Sequence, residues 1–174
     1  MTRYGIVPGV ALAAILASVV PAWAAAPAEP AYLKTADRAM IRSWLAGHPG
    51  YRLTTDADCR CDQRIRDLRT PSGAWPAQRD FHPYFARGDF NRDRHEDIAL
   101  GVRAVGERGQ FRVLILSRYA KPYLSDRFLL GEAIFYGPPR PKPYLLLVGR
   151  FETEAGSLEP TRGGGYRYAP SDCC

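Results

Sequence analysis

Gly88-Asp89-Phe90-Asn91-Arg92-Asp93-Arg94-His95-Glu96-Asp97-Ile98-Ala99-Leu100 is the stretch on which the reading of this chain turns. Asp89, Asn91, Asp93 and Asp97 stand at positions 1, 3, 5 and 9 of a short bend. That alternate-residue spacing lets a curled backbone aim side-chain oxygens at one hard cation. Beyond the bend, Ile98, Leu100 and Val102 alternate as in a half-buried strand, and Tyr84 to Phe90 leads in as an extended segment. The bend is therefore expected to join two neighbouring strands.

The expected ion is calcium. Asp89, Asp93 and Asp97 would give carboxylate oxygens, Asn91 its amide oxygen and His95 its backbone carbonyl, with water completing the roughly six to eight oxygens that calcium accepts. Magnesium fits less well because it keeps more of its own water. The His95 ring is not expected among the ligands, since a hard ion prefers oxygen. The ion's role would be structural, setting the loop's shape and the register of its two strands. The metal-free alternative is a turn held by Asp and Asn side chains bonded to the backbone.

Working toward the C-terminus, Gly106 and Gly109 mark a turn into Gln110–Ser117. There Phe111, Val113 and Ile115 face one way and Leu114 and Leu116 the other, so the strand is apolar on both faces and belongs in the middle of a sheet. Further strands are expected at Phe128–Tyr136, at Tyr144–Phe151, and in a last hairpin, Ser157–Pro160 with Tyr166–Tyr168, around Gly163 to Gly165. The connection Gly137-Pro-Pro-Arg-Pro-Lys-Pro reads as a stiff arm that holds Arg140 and Lys142 outward, either as a recognition surface or as a rigid connector guarding strand edges.

Toward the N-terminus, Thr70 to Asp80 is a loop rich in breakers that carries Trp75. A helix is expected from Thr55 to about Leu68, opened by a capping box of Thr55 and Asp58 and facing inward with Cys61, Ile65 and Leu68. Another begins at Thr35 with Asp37 in its first turn, buries Met40, Ile41, Trp44 and Leu45, and ends at Gly47. The expected architecture is α+β: two N-terminal helices on an antiparallel meander of about five or six strands, in one domain over residues 32–174.

Residues 1–24 have the grammar of a secretory signal, with Arg3, an apolar run from Ile6 to Val20, Pro21, and Ala22-Trp23-Ala24 as cleavage site. Its apolar run of about 15 residues falls short of the roughly 20 that span a bilayer, and no later run is long enough, so a periplasmic or secreted protein is expected. Ala25–Ala31 reads as a disordered leader. Losing Arg3 lowers the formal charge from +6 to +5. That excess suits an acidic envelope polymer as neighbour, but it is spread along the chain without a dense basic run, so nucleic acid is a poor partner.

Cys59, Cys61, Cys173 and Cys174 form an even set, read first as disulfides in an exported chain. Joining neighbours closes small rings, so the spacing favours bridges between the tail and the Cys59–Cys61 segment, around a loop of roughly a hundred residues and contributing on the order of 4 kcal/mol. Four thiolates holding a soft metal is the alternative.

Gly88, Asp89, Phe90, Asn91, Asp93, Asp97, Ile98 and Ala99 resemble, in order, the calcium loops of FG-GAP and VCBS-type repeats, found in integrin-like β-propellers and many exported bacterial proteins. The resemblance spans residues 88–100 and implies calcium at this loop. Those repeats usually carry glycine where this chain has Arg92 and Arg94, and Arg94 falls where a positive φ is often needed. No second copy of the loop follows, so the resemblance carries one supersecondary unit and not a closed propeller.

No Gly-x-Ser-x-Gly elbow, His-Glu-x-x-His helix or phosphate loop occurs in the chain. The leading expectation is thus a non-enzymatic exported binding or accessory module with an unidentified protein or acidic polymer as partner. Its rivals are a small extracytoplasmic hydrolase, using His82 or His95 as base with a carboxylate such as Asp80 or Asp97, and an inhibitor or immunity protein.

Overall fold

Gln110–Leu116, apolar on both faces, does lie in the interior of a sheet. In the computed structural model, which describes residues 29–70, 78–136, 145–150 and 155–170, it is bracketed by antiparallel neighbours. In chain order the elements are α1 (Thr35–Gly47), β1 (Tyr51–Leu53), α2 (Asp56–Cys59), α3 (Asp62–Arg69), β2 (Phe85–Gly88), β3 (Asp97–Ala104), β4 (Gln110–Leu116), β5 (Tyr123–Leu129), β6 (Glu132–Tyr136), β7 (Leu146–Arg150), β8 (Ala155–Pro160) and β9 (Tyr166–Ala169). The signal, residues 25–28 of the leader, Trp75, the proline arm, Cys173 and Cys174 lie outside the described residues.

Among the described residues two antiparallel sheets stand in place of the single meander expected. One has the order β1-β3-β4-β5 with β2 also paired to β3, and the other runs β6-β7-β8-β9. The faces of β4 explain the layering. Leu114 and Leu116, with Ile98, Leu100 and Val102 of β3, pack against Leu33, Ile41 and Trp44 on the α1 side. Phe111, Val113 and Ile115 join Tyr84 and the second sheet's Ala133, Ile134, Leu146, Val148 and Leu158 in a larger core. Helix, sheet and sheet thus form three layers, and the strand that leaves the aspartate loop is buried on both sides, each large side chain contributing about 1.5–3 kcal/mol.

The strand expected across 128–136 is two strands in different sheets. Gly131 takes φ +110, a conformation open to glycine, and Leu130 N–H bonds to the Gly109 carbonyl at 2.9 Å, so the chain turns out of the first sheet there. Among the described residues three helices stand where two were expected. The capping-box residues are in place, with the Thr55 N–H and hydroxyl donating to Asp58 Oδ2 at 2.9 and 3.2 Å, but the helix stops after one turn. Arg60 adopts a left-handed conformation (φ 52, ψ 34), and Cys59 bonds to Cys61 with their Cα atoms 5.1 Å apart. The pairing of these two cysteines with the C-terminal tail is therefore corrected. Residues two apart in a continuous helix face nearly opposite directions, and only the left-handed residue between them brings the two sulfurs together.

Candidate functional site

The ends of the aspartate loop are fixed by the β2–β3 pairing, in which Gly88 sits opposite Asp97. Between them the polar side chains fold inward onto the backbone. Asp89 accepts the N–H of Asp93 on Oδ1 and that of Arg94 on Oδ2, both at 2.9 Å. Asn91 Oδ1 accepts Asp93 N–H at 2.9 Å, and Asp93 Oδ1 accepts His95 N–H at 2.8 Å. Asn91 Nδ2 donates to Asp93 Oδ2 at 3.0 Å, and Phe90 N–H donates to Asp97 Oδ2 at 3.1 Å. Four of the five expected site residues thus turn side-chain oxygens into one bend. Among the described residues no three His, Cys, Asp or Glu side chains stand grouped to hold a metal. As it stands the bend is held by backbone donors.

Asp97 is set apart by burial. Its side chain is 0% exposed, and among the described residues no cationic side chain pairs with it. Burial pushes its pKa above the ordinary carboxylate range; the Ser117 hydroxyl and the Phe90 N–H act against the rise, and the Asp93 charge adds to it. Arg92 (φ 65) and Arg94 (φ 70) both occupy the left-handed region, at about 1–2 kcal/mol each for a residue other than glycine. His95 is bound into the loop through its N–H; its exposed ring lies 4.5 Å from the Tyr119 ring and lines a small cavity with Asp37 and Glu96.

The second sheet covers one side of the loop. The Tyr136 ring meets Phe90 edge-on at 4.9 Å, its hydroxyl donates to the Asp89 carbonyl at 3.3 Å, and a Cβ on Gly88 would overlap it. The Tyr166 hydroxyl is pushed well above its ordinary pKa by burial and then by the charges of Asp97, Asp93 and Asp89. On the helix side, Arg87 of β2 binds the buried Asp37 of α1 and, at 2.8 Å, Glu96; Lys34 also reaches Glu96, at 3.0 Å. Asp37 in turn accepts the Lys34 N–H at 3.0 Å and caps α1. These ion pairs tie the helix start to the end of the loop. Their sequence separations, 47 for Tyr136 with Asp89 and 50 for Arg87 with Asp37, left no local signal by which to find them.

His82 has a carboxylate partner, but it is Asp56 and not Asp80. Nδ1 lies 2.8 Å from Asp56 Oδ2, and Tyr32 stacks on the imidazole with ring centroids 3.7 Å apart. Arg69 approaches the same carboxylate at 3.4 Å and binds the Phe81 carbonyl at 2.6 Å. His82, Tyr32, Gln78, Arg79 and Asp80 line an open cleft of about 650 Å³ floored by Phe81, Ile134 and Phe135. The described lining contains no serine, threonine or cysteine. Among the described residues no helix is long and apolar enough to cross a membrane.

Comparison of the chain with known protein families, with curated proteins and with solved structures finds no match.

Proposed function

We propose that this protein is an exported, non-enzymatic binding or accessory module whose aspartate loop takes up calcium as a structural brace. The observation that carries the reading is Asp97: a fully buried carboxylate that meets hydroxyl and N–H donors but, among the described residues, no cationic side chain is costly as it stands, and a cation brought to it by the same bend would offset that cost. Asp89, Asn91 and Asp93 supply exposed or half-exposed oxygens from one turn, each with a further lone pair beyond the backbone bond it accepts. Their donor set, all oxygen, suits a hard ion. The topology also supports the FG-GAP-like reading, since β2 to β5 and β6 to β9 are each four-strand antiparallel meanders, and the loop joins the first two strands of one of them.

Thermal unfolding in calcium and in chelator tests the ion. The expected result is a higher Tm in calcium for the unaltered protein, by several degrees at a ligand concentration of about 100 Kd, and no difference for Asp93→Ala. Equal melting in both conditions for the unaltered protein would reject the metal.

One observation favours a second reading, a hydrolase: His82 oriented by Asp56 at the edge of the cleft. With no nucleophile in the described lining, His82 would act as a base on water. Turnover of a panel of nitrophenyl esters and phosphates, abolished in both His82→Ala and Asp56→Asn, would establish it; no turnover by the unaltered protein would dismiss it.

A further inference from the structure

We infer that the rim formed by the aspartate loop and the turn after β4 is a docking surface for an acidic polysaccharide, and that an ion in the loop strengthens the docking. Arg92 and Arg94 stand exposed on the loop, Arg118 and Lys121 on the turn. Among the described residues none of these four cations has an ion-pair partner, whereas Arg52, Arg87, Arg103, Arg127 and Arg167 all do. Arg92 lies near enough to Glu159 to lower its pKa, but the ion pair of Glu159 goes to Arg167 at 3.0 Å. Tyr119, 66% exposed, lies against the His95 ring and so joins the turn to the loop. Exposed positive charge carried by two adjoining segments, with an exposed ring on one of them, is a surface complementary to a polyanion.

The backbone adds a separate argument. Both loop arginines take left-handed φ, where glycine is unstrained. A loop needing only its turn would be better served by glycine, so the guanidinium groups are what arginine contributes. The aromatic face of Tyr119 suits the C–H face of a sugar ring. Cations spread over two segments suit a polymer with one charge every sugar or two. A membrane is disfavoured because the exposed apolar side chains Val105, just past β3, and Leu129, the last residue of β5, stand at the opposite end of the sheet.

Asp89 and Asp93 sit among these arginines and oppose a polyanion. A divalent ion would neutralise that local charge, and by linkage polymer and ion would raise each other's affinity by the same factor. This coupling rests on the calcium reading above; the cationic rim does not.

The test uses fluorescent hyaluronate oligomers as probe, with calcium or chelator, and the Tm measured on the same samples. Expected are binding in calcium that falls roughly three- to tenfold in chelator and declines with added salt. The double variant Arg92→Gly/Arg94→Gly is expected to melt at the same or a higher temperature, to keep its calcium shift, and to bind roughly three- to tenfold more weakly. Because glycine relieves the strained φ, unfolding would not account for that loss. Unaltered hyaluronate binding by this variant overturns the proposal, as does tighter binding to single-stranded DNA or to phosphatidylglycerol vesicles. Arginine-dependent binding that ignores calcium supports the rim and overturns the coupling. Absence of a calcium shift in Tm is a failure of the metal reading alone, read separately in the same samples.

Discussion

Asp97 carries a carboxyl that the fold encloses completely, and enclosure favours its protonated form. Its folded pKa is therefore above its unfolded one. Between the two values the native state holds more protons than the unfolded chain, so in metal-free protein this group's contribution to stability falls as pH rises from 3.8 through the raised pKa. Asp97→Asn removes the buried charge while its amide oxygen still accepts the Phe90 N–H. In chelator at neutral pH the variant is expected to be more stable than the unaltered protein by about 1–3 kcal/mol, and calcium should no longer raise its Tm. Paired denaturant titrations at pH 4 and pH 7 check the sign: the metal-free gain should shrink toward the lower pH, and a gain of equal size at both would remove the carboxyl as its source. The local spacing of Asp89, Asn91, Asp93 and Asp97 was legible because turn chemistry repeats over a few residues. What set Asp97 apart was not, because its burial is supplied by distant segments.

Between elements, the clamp at Asp58 does more than cap α2. Its carboxylate binds Arg52 of β1 at 2.7 Å and Arg103 of β3 at 3.0 Å as well as the Thr55 N–H. Burial alone would raise its pKa, but the Arg52 and Thr55 hydrogen bonds and the Arg52 charge prevail and hold it at about 2. A carboxylate depressed in this way contributes stability above its unfolded pKa, near 3.8, that is lost as pH falls toward about 2. Discounted for the half-exposed Arg52, that contribution is about 1–2 kcal/mol. Asp58→Asn is expected to lose it at pH 7 and to flatten the acid limb of stability between pH 4 and 2; an acid limb unchanged from that of the unaltered protein would show another group responsible. The neighbouring Cys59–Cys61 bond closes a very short loop, so the double variant Cys59→Ser/Cys61→Ser should lower stability by only about 1–2 kcal/mol, measured by urea unfolding. A loss near 4 kcal/mol would point to a long-range bridge instead. The capping box at Thr55 could be read from its spacing; the break at Arg60 could not, since nothing in Asp-Cys-Arg-Cys-Asp forces a left-handed residue until the two sulfurs join.

Across the whole molecule, the larger core spans both sheets, so neither is expected to unfold alone. Phe111 of β4 is buried among Tyr84 and Phe128, and faces the second sheet. Phe111→Ala should cost roughly 3–5 kcal/mol, and hydrogen exchange should show β4 and β7 amides losing protection together. Protection lost from β4 only would divide the fold into two cooperative units. From the sequence by itself came the α+β class, the interior position of β4, the hairpin around the aspartate loop and the oxygen-rich bend, because each is written in periodicities of two to four residues. Only the tertiary structure decided that the strands divide between two sheets, that His82 meets Asp56, that Arg87 joins the loop to α1, and that Tyr136 closes over the bend. Those are contacts between residues 26 to 50 or more positions apart, and they are selected by how two apolar faces of one sheet are covered, a choice that no local pattern of residues encodes.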